Sequence, residues 1–282
     1  MWGCVRLSRV ITLGLTLAGA GAGAVAEPAR VVSINLCTDQ LAMLLAAPGQ
    51  LVSVSDLAAD PASSAMADEA RGYPVNHARA EEVYLLRPDL VLAGRYTARA
   101  TVDMLRRTGI EVVEFAPANS LSDTRDRIAQ MAALLGREAE GATLIARFDA
   151  KLAELQATPG DAPRAALYHP NGYTLGAGTL ANDILRAGGF ANVAAELGHR
   201  GGGTLPLETL VMADPDLLIS AETLPGASRS EEVLVHPALE DLRARHTALR
   251  IASPDWICGT PHLLGAVEGL VAVRQTLTGA GQ

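Results

Sequence analysis

Two stretches of the chain carry the same change of apolar spacing, from helical to strand-like. Glu81-Glu82-Val83-Tyr84-Leu85-Leu86-Arg87-Pro88-Asp89-Leu90-Val91-Leu92 returns in the second half as Glu208-Thr209-Leu210-Val211-Met212-Ala213-Asp214-Pro215-Asp216-Leu217-Leu218-Ile219. Before the proline, Val83 and Leu86, and Leu210, Met212 and Ala213, fall at helical spacing. After Pro-Asp a short apolar run reads as a buried parallel strand. Proline disfavours the α conformation in the residue before it, so the helix ends where the strand must begin. The repeat predicts two similar α/β halves with an acidic residue at equivalent places.

The rest of the pattern fills in around these units. In the first half, Val31–Asn35 reads as a strand, followed by a helix with Thr38 as N-cap and Asp39 in its first turn, running to about Ala47. Leu51–Ser55 is a second strand, and Asp56–Arg79 a long polar loop. Arg95-Tyr96-Thr97 leads into a helix that Gly109 stops, and Glu111–Phe115 is a strand. The span 120–158 is helix-forming nearly throughout, with Gly136 and Gly141 its weak points, and predicts one rigid connector. The second half restarts with a strand at Arg164–Tyr168. A loop over His169–Gly178, a helix over Leu180–Ala187 stopped by Gly188-Gly189, and a glycine-rich loop over Gly198–Gly203 follow. Beyond the Glu208 unit come a strand at Leu249–Ala252, a loop over Ser253–Pro261 and a helix over His262–Leu277. The boundaries predicted are a leader at 1–26, a lobe at 27–119, a connector at 120–158 and a lobe at 159–282.

The leader has the parts of a secretory signal. Arg6 and Arg9 form a basic region, Val10–Gly23 an apolar one rich in small residues, and Ala24-Val25-Ala26 a cleavage site before Glu27. Cys4 precedes the apolar region, which argues against a lipid anchor, and no run is long enough to span a membrane. Lys and Arg number 23 against 31 Asp and Glu, a net charge of −8 that loss of Arg6 and Arg9 deepens. Such a chain has no electrostatic case for nucleic acid or an anionic membrane surface. Cys37 and Cys258 remain after cleavage. Export permits a disulfide between them, and two free buried thiols are the competing reading.

In parallel α/β sheets, ligands bind outside the carboxyl ends of the strands. The loops at that address offer Asn35; Arg95 and Tyr96; His169, Asn171 and Tyr173; and Asp255 and Trp256. Aromatic faces cover a large planar or amphipathic ligand, and arginine pairs with acidic oxygens. None of the six histidines forms a short-spaced metal pair, so no metal site is predicted. No nucleophile elbow and no phosphate-binding glycine loop occurs in the right context, which leaves an exported α/β hydrolase, or a thiol enzyme built on Cys37, as the alternative of a different class.

The order of these features resembles the periplasmic substrate-binding proteins of ABC importers, in the helix-linked class that handles cobalamin, ferric siderophores or haem. The resemblance is carried by Arg30-Val31-Val32-Ser33 after the leader, Glu81-x6-Pro88-Asp89-Leu90-Val91, the helical connector and Glu208-x6-Pro215-Asp216. It implies an α/β fold of two Rossmann-like lobes with parallel sheets joined by a long connector helix, and only small hinge motion. It implies a periplasmic monomer with no enzymatic activity and no resident cofactor. The ligand implied is a ferric siderophore or cobalamin, with haem the alternative, and the partner an inner-membrane ABC permease. Glu81 and Glu208 stand where the family docks against permease arginines. Here Arg79-Ala80 precedes and Glu82 follows the first glutamate, so Glu81 and Glu82 both stand as candidates for that contact.

Overall fold

In the computed structural model, which describes residues 1–2, 27–156, 162–221, 228–251 and 253–279, strand and helix alternate through both halves. The expected leader falls almost wholly at 3–26, outside the described residues. The first lobe contains β1 (Val31–Ser33), α1 (Leu36–Leu45), β2 (Leu51–Ser55), α2 (Ala67–Ala70), β3 (Val75–Asn76), α3 (Ala80–Leu85), β4 (Leu90–Gly94), α4 (Arg99–Arg107) and β5 (Glu111–Phe115). Its strands form one parallel sheet in the order β3-β2-β1-β4-β5. Two helices follow, α5 (Leu121–Leu135) and α6 (Glu138–Leu155). The second lobe contains β6 (Arg164–Tyr168), β7 (Tyr173–Leu175), α7 (Leu180–Ala187), β8 (Ala191–Asn192), α8 (Val193–Glu196), β9 (Gly202–Thr204), α9 (Leu207–Ala213), β10 (Leu217–Ala221), α10 (Pro237–Arg245), β11 (Thr247–Ile251) and α11 (Leu263–Gly279). Its parallel sheet runs β11-β10-β6-β8, and β7 and β9 form a separate antiparallel ribbon. No helix among the described residues is long and apolar enough to cross a membrane.

Both faces of the central strands β4 and β10 are buried, which is why these read as apolar runs. Successive residues of a strand point to opposite faces. Val31, Leu90 and Leu92 therefore join one core with α1 and α5, and Val32, Ile34, Val91 and Ala93 another with α3 and α4. Ala165, Leu167, Leu217 and Ile219 pack under α7 and α11, while Ala166, Tyr168 and Leu218 pack under α9 and α10.

The duplicated Pro-Asp has a structural task in each lobe. Asp89 Oδ2 accepts hydrogen bonds from the backbone N–H groups of Ala29 (3.0 Å) and Arg30 (2.9 Å), just before β1. Asp216 Oδ2 accepts from the Arg164 N–H (2.7 Å) at the start of β6. Each carboxylate thus sets the first strand beside the strand that follows it, in the registers Val31↔Leu90 and Ala165↔Leu217. The arginines complete the lock: Arg30 donates to the carbonyls of Leu86 and Arg87, and Arg164 to that of Ala213, satisfying the ends of α3 and α9. Arg87 and Asp214, each before proline, stop those helices in the left-handed region (φ 49° and 47°).

Several expected elements differ. Asn35, not Thr38, caps α1: its Oδ1 accepts from the Cys37 N–H (3.1 Å), and Thr38 lies inside the first turn with its Oγ1 bonded to the Asn35 carbonyl. The polar stretch after β2 is not all loop, because buried Asn76 donates to the Ser33 and Val54 carbonyls and to Ser53 Oγ, drawing β3 onto the sheet edge. The second-lobe loop and the glycine-rich loop are paired as β7 and β9, since backbone groups at those positions satisfy one another.

The connector is an antiparallel helix pair rather than one helix. Gly136 takes a left-handed conformation (φ 67°), and the Arg137 N–H bonds back to the Ala132 carbonyl (2.7 Å), closing α5. Gly141 lets α6 turn back against α5, since a Cβ there would lie 2.4 Å from that of Ala132. The longer helix, α6, joins the lobes: Leu144 belongs to the first lobe's core, and Phe148 and Leu152 to the second's. Arg125 of α5 ties the pair, bonding Asp149 (2.6 Å) and lying over the Phe148 ring (5.3 Å). Residues 157 and 158, the expected end of the connector, lie outside the described residues.

Asp39 is fully buried on α1, accepting from the Ser55 N–H (3.1 Å) and Ser55 Oγ. Burial raises its carboxyl to about 6, against the opposing pull of hydrogen bonds from Ser33 and Ser55. The folded state therefore holds the Asp39 proton more tightly than the unfolded chain does. The residue's contribution to stability is greatest below about pH 4 and falls as pH rises through 6, by up to about 3 kcal/mol. Asp39→Asn is expected to lose this dependence. Urea unfolding of both proteins at pH 4 and pH 7 should show the variant gaining relative stability at pH 7, and equal differences at the two pH values would contradict the assignment.

Candidate ligand cleft

The carboxyl ends of β1, β4 and β5 open into one hollow of about 200 Å³ between the lobes. Asn35 and Cys37 enter it from the start of α1, Arg95 and Tyr96 from the end of β4, and Phe115 from the end of β5. Ile257 and Gly259 close it from the second lobe. Local structure fixes the first-lobe side: the Asn35 cap, the Arg95 N–H bonded to the Phe115 carbonyl (2.9 Å), and the Gly94 N–H bonded to Thr97 Oγ1 (3.0 Å).

The lobes are joined covalently at this edge. Cys37 in the first turn of α1 is disulfide-bonded to Cys258 in the loop before α11, with Cα atoms 5.3 Å apart. Around it, Thr260 Oγ1 donates to Gln40 Oε1 (3.3 Å), and the Leu121 N–H to Asp183 Oδ2 (3.2 Å). Gly259 presses on the first lobe so closely that a Cβ would lie 2.3 Å from that of Ala118. The pairing left open by the sequence is thus a bond between lobes.

Arg127 of α5 also lines the hollow. Sequence reasoning passed over it because it lay in the connector. Its signal was position: it neighbours the buried stripe Thr124, Ile128 and Met131, where a charged side chain needs a reason. Its Nη1 donates to Gln130 Oε1 (2.6 Å), while its Nε is buried without a hydrogen-bond partner among the described residues.

The expected ligand residues divide into groups. Asn35, Arg95 and Tyr96 meet in the hollow. Trp256 lies behind it, half-buried in a separate recess with Ile219, Leu249 and Leu270, so its neighbour Ile257 is the side chain that reaches the cleft. Asp255 rests on Gly265 of α11 and its N–H bonds Ser253 Oγ (3.3 Å). His169, Asn171 and Tyr173 cluster past β6 on the second lobe. There the His169 N–H bonds the Tyr173 carbonyl (2.8 Å), the rings lie 6.5 Å apart, and burial pulls the His169 pKa below its ordinary value. None of these three lines the first-lobe hollow. Among the described residues no group of three or more His, Cys, Asp or Glu could hold a metal ion.

The two repeated glutamates sit away from the hollow. Glu81 in α3 and Glu208 in α9 are exposed, with no hydrogen bond or ion pair among the described residues. Glu82 differs, accepting from the His77 N–H (2.8 Å) and facing His77 Nδ1 (3.3 Å); the backbone hydrogen bond is the main cause that lowers its pKa.

The bond across 221 positions closes a very long loop, for which chain entropy sets a stabilisation of roughly 5 kcal/mol. Replacing Cys37 and Cys258 together with Ser is expected to lower the unfolding free energy by about that amount. Unchanged denaturant midpoints would mean that the bond does not form or does not restrict the unfolded chain.

Comparison with known proteins places these features in a wider set. Residues 31–255 match the model of the periplasmic binding protein family. The chain is 23% identical over 257 residues to an uncharacterized ABC transporter substrate-binding lipoprotein, YvrC, of Bacillus subtilis, covering 86% of this chain and 79% of the relative. Among solved structures, it is similar in fold to the periplasmic heme-binding protein RhuT from Roseiflexus sp. RS-1 (TM-score 0.72, 22% identity, 88% of this chain and 98% of that one). It is similar also to an ABC-type Fe3+-hydroxamate transport protein from Saccharomonospora viridis (0.65, 20%, 90% and 94%). The vitamin B12 binding protein BtuF of Vibrio cholerae shares the fold as well (0.63, 16%, 89% and 98%).

Proposed function

The chain belongs to the periplasmic binding protein family, and from that premise we propose that it captures a metal chelate between its lobes and delivers it to an ABC permease. The observation that carries the reading is the hollow at the carboxyl ends of β1, β4 and β5, walled by both lobes. A ferric siderophore or corrinoid is the ligand class, with haem the second reading, since proteins of all three kinds share the fold. The metal is cargo, not a resident cofactor. The protein works as an exported monomer, cleaved after Ala26 and active in the periplasm. The thiol-enzyme alternative loses its nucleophile, because Cys37 is bonded to Cys258.

Docking to the permease falls to Glu81 and Glu208. Neither has a hydrogen bond or ion pair among the described residues, which supports this, and the engagement of Glu82 with His77 favours Glu81 over its neighbour. An exposed apolar side chain stands one helical turn beyond each, Leu85 (77% exposed) and Met212 (85%), so both lobes present a carboxylate beside an apolar knob. A permease arginine can pair with each carboxylate while an apolar patch receives the knob.

Replacing Glu81 and Glu208 together with Ala is expected to leave chelate affinity unchanged and to weaken docking by a hundredfold or more, taking about 1.5–3 kcal/mol for each charge-assisted contact. Transport by the reconstituted importer, beside a binding titration on the same protein, checks both halves. Normal transport by the double variant would remove the docking role, and lost binding with an intact fold would put the cleft on the wrong face. Mass spectrometry of the exported protein is expected to find Glu27 at its amino terminus; an intact Met1 would contradict cleavage.

A further inference from the structure

We infer that the chelate this cleft takes is anionic, and that Arg127 with Arg95 selects it by gripping carboxylate or similar acidic oxygens. The inference rests on the metal-chelate reading and narrows it. Several arginines elsewhere in the fold are paired with acids: Arg106 with Glu114, Arg125 with Asp149, Arg164 with Glu196, Arg245 with Asp214. Arg95 and Arg127 form no such ion pair among the described residues, and both line the hollow. Among the described residues no Asp or Glu lines it with them. The nearby acids face elsewhere: Asp39 is bonded to Ser55, and Asp123 Oδ2 accepts from the Asn119 N–H (2.7 Å). In a chain with net charge −8, a hollow that holds two guanidiniums and no carboxylate among the described residues suits a counter-charge brought by the ligand.

Arg127 supplies the sharper observation. Gln130 holds one end of its guanidinium through Nη1, while its buried Nε–H has no acceptor. A buried donor without a partner is costly, and Nη2 beside it has no hydrogen-bond partner among the described residues, so an acidic ligand oxygen has that side of the guanidinium to meet. A guanidinium offers parallel N–H groups that match the two oxygens of a carboxylate, which a neutral chelate lacks. Arg95 is exposed at the rim, beside Tyr96 (86% exposed), placed to meet the ligand on entry. Leu41, Phe115, Pro117 and Ile257 supply apolar wall for the organic part.

The test titrates the full mature protein with two anionic chelates, ferric citrate and haem, and two neutral ones, cyanocobalamin and a ferric trihydroxamate. Ferric citrate and haem separate a small carboxylate chelate from a macrocycle bearing carboxylate arms. At least one anionic probe should bind about 10- to 100-fold more tightly than either neutral one, and more weakly as salt rises. Arg127→Gln, which keeps length and some hydrogen bonding, should lose about 10- to 100-fold for that probe at an unchanged apo melting temperature. Arg127→Lys should recover part of the loss, and Arg95→Gln should weaken binding less. If a neutral probe binds best and the arginine variants leave it unaffected, the charge selection is wrong while the metal-chelate reading stands. If none of the four binds or raises the melting temperature, both fail. Should Arg127→Gln melt early, the Lys variant and the salt dependence decide, and salt-insensitive binding of the anionic probe would overturn the inference.

Discussion

The disulfide between Cys37 and Cys258 is the constraint on which the cleft depends. It fastens the first turn of α1, where Asn35 caps the helix, to the loop that brings Ile257 and Gly259 against the first lobe. Beside the bond, Gly259 lies in near-contact with Ala118. At the opposite side of the joint, α6 passes from the first lobe's core into the second's, and Lys151 reaches Glu268 of α11 (3.6 Å). With a covalent tie at the cleft and a packed helix spanning the joint, relative motion of the lobes is confined to small displacements. A cleft built on such a joint is largely formed in advance, so little binding energy would go into ordering it.

Each lobe is built on the same small device. An aspartate after proline receives the backbone of the lobe's first strand, and an arginine from that strand satisfies the end of the preceding helix. The copies differ in detail: Asp89 accepts two backbone N–H groups and Asp216 one, and Arg164 also pairs with Glu196. Arg87 of the first lobe corresponds to Asp214 of the second, which binds Arg245 (2.9 Å) and His246 (2.8 Å) and has its pKa lowered by those contacts. The duplication thus places a helix start, with its glutamate, at equivalent points of two rigid bodies, and leaves the carboxyl-end loops free to differ.

Legibility in the sequence followed local chemistry. Strands Leu51–Ser55, Glu111–Phe115 and Arg164–Tyr168 and helix Leu180–Ala187 lie where the apolar spacing and glycine stops put them. The misses are places where a distant group decides. Asn35 outcompetes Thr38 as cap because Thr38 Oγ1 is turned to Ser33 and the Asn35 carbonyl. Gly136 reads as a weak point in one helix until α6 has a partner to fold back on. The glycines of β9 read as a loop because their partner, β7, is far away in sequence. Asn35, Arg95 and Tyr96 line the hollow as the sequence leads one to expect, because a strand end fixes their address. Arg127 lines the hollow only through the packing of α5, which apolar spacing does not show, and Trp256 lies in a loop that borders the cleft while its ring packs on α11.

The most direct measurement is the position of the metal in crystals of the protein carrying its chelate, from anomalous scattering at the iron or cobalt edge. A chelate captured between the lobes predicts one peak in the hollow edged by Asn35, Arg95, Arg127 and Ile257. A peak on the outer face of either lobe, or no peak in crystals of protein shown to be saturated in solution, would contradict it.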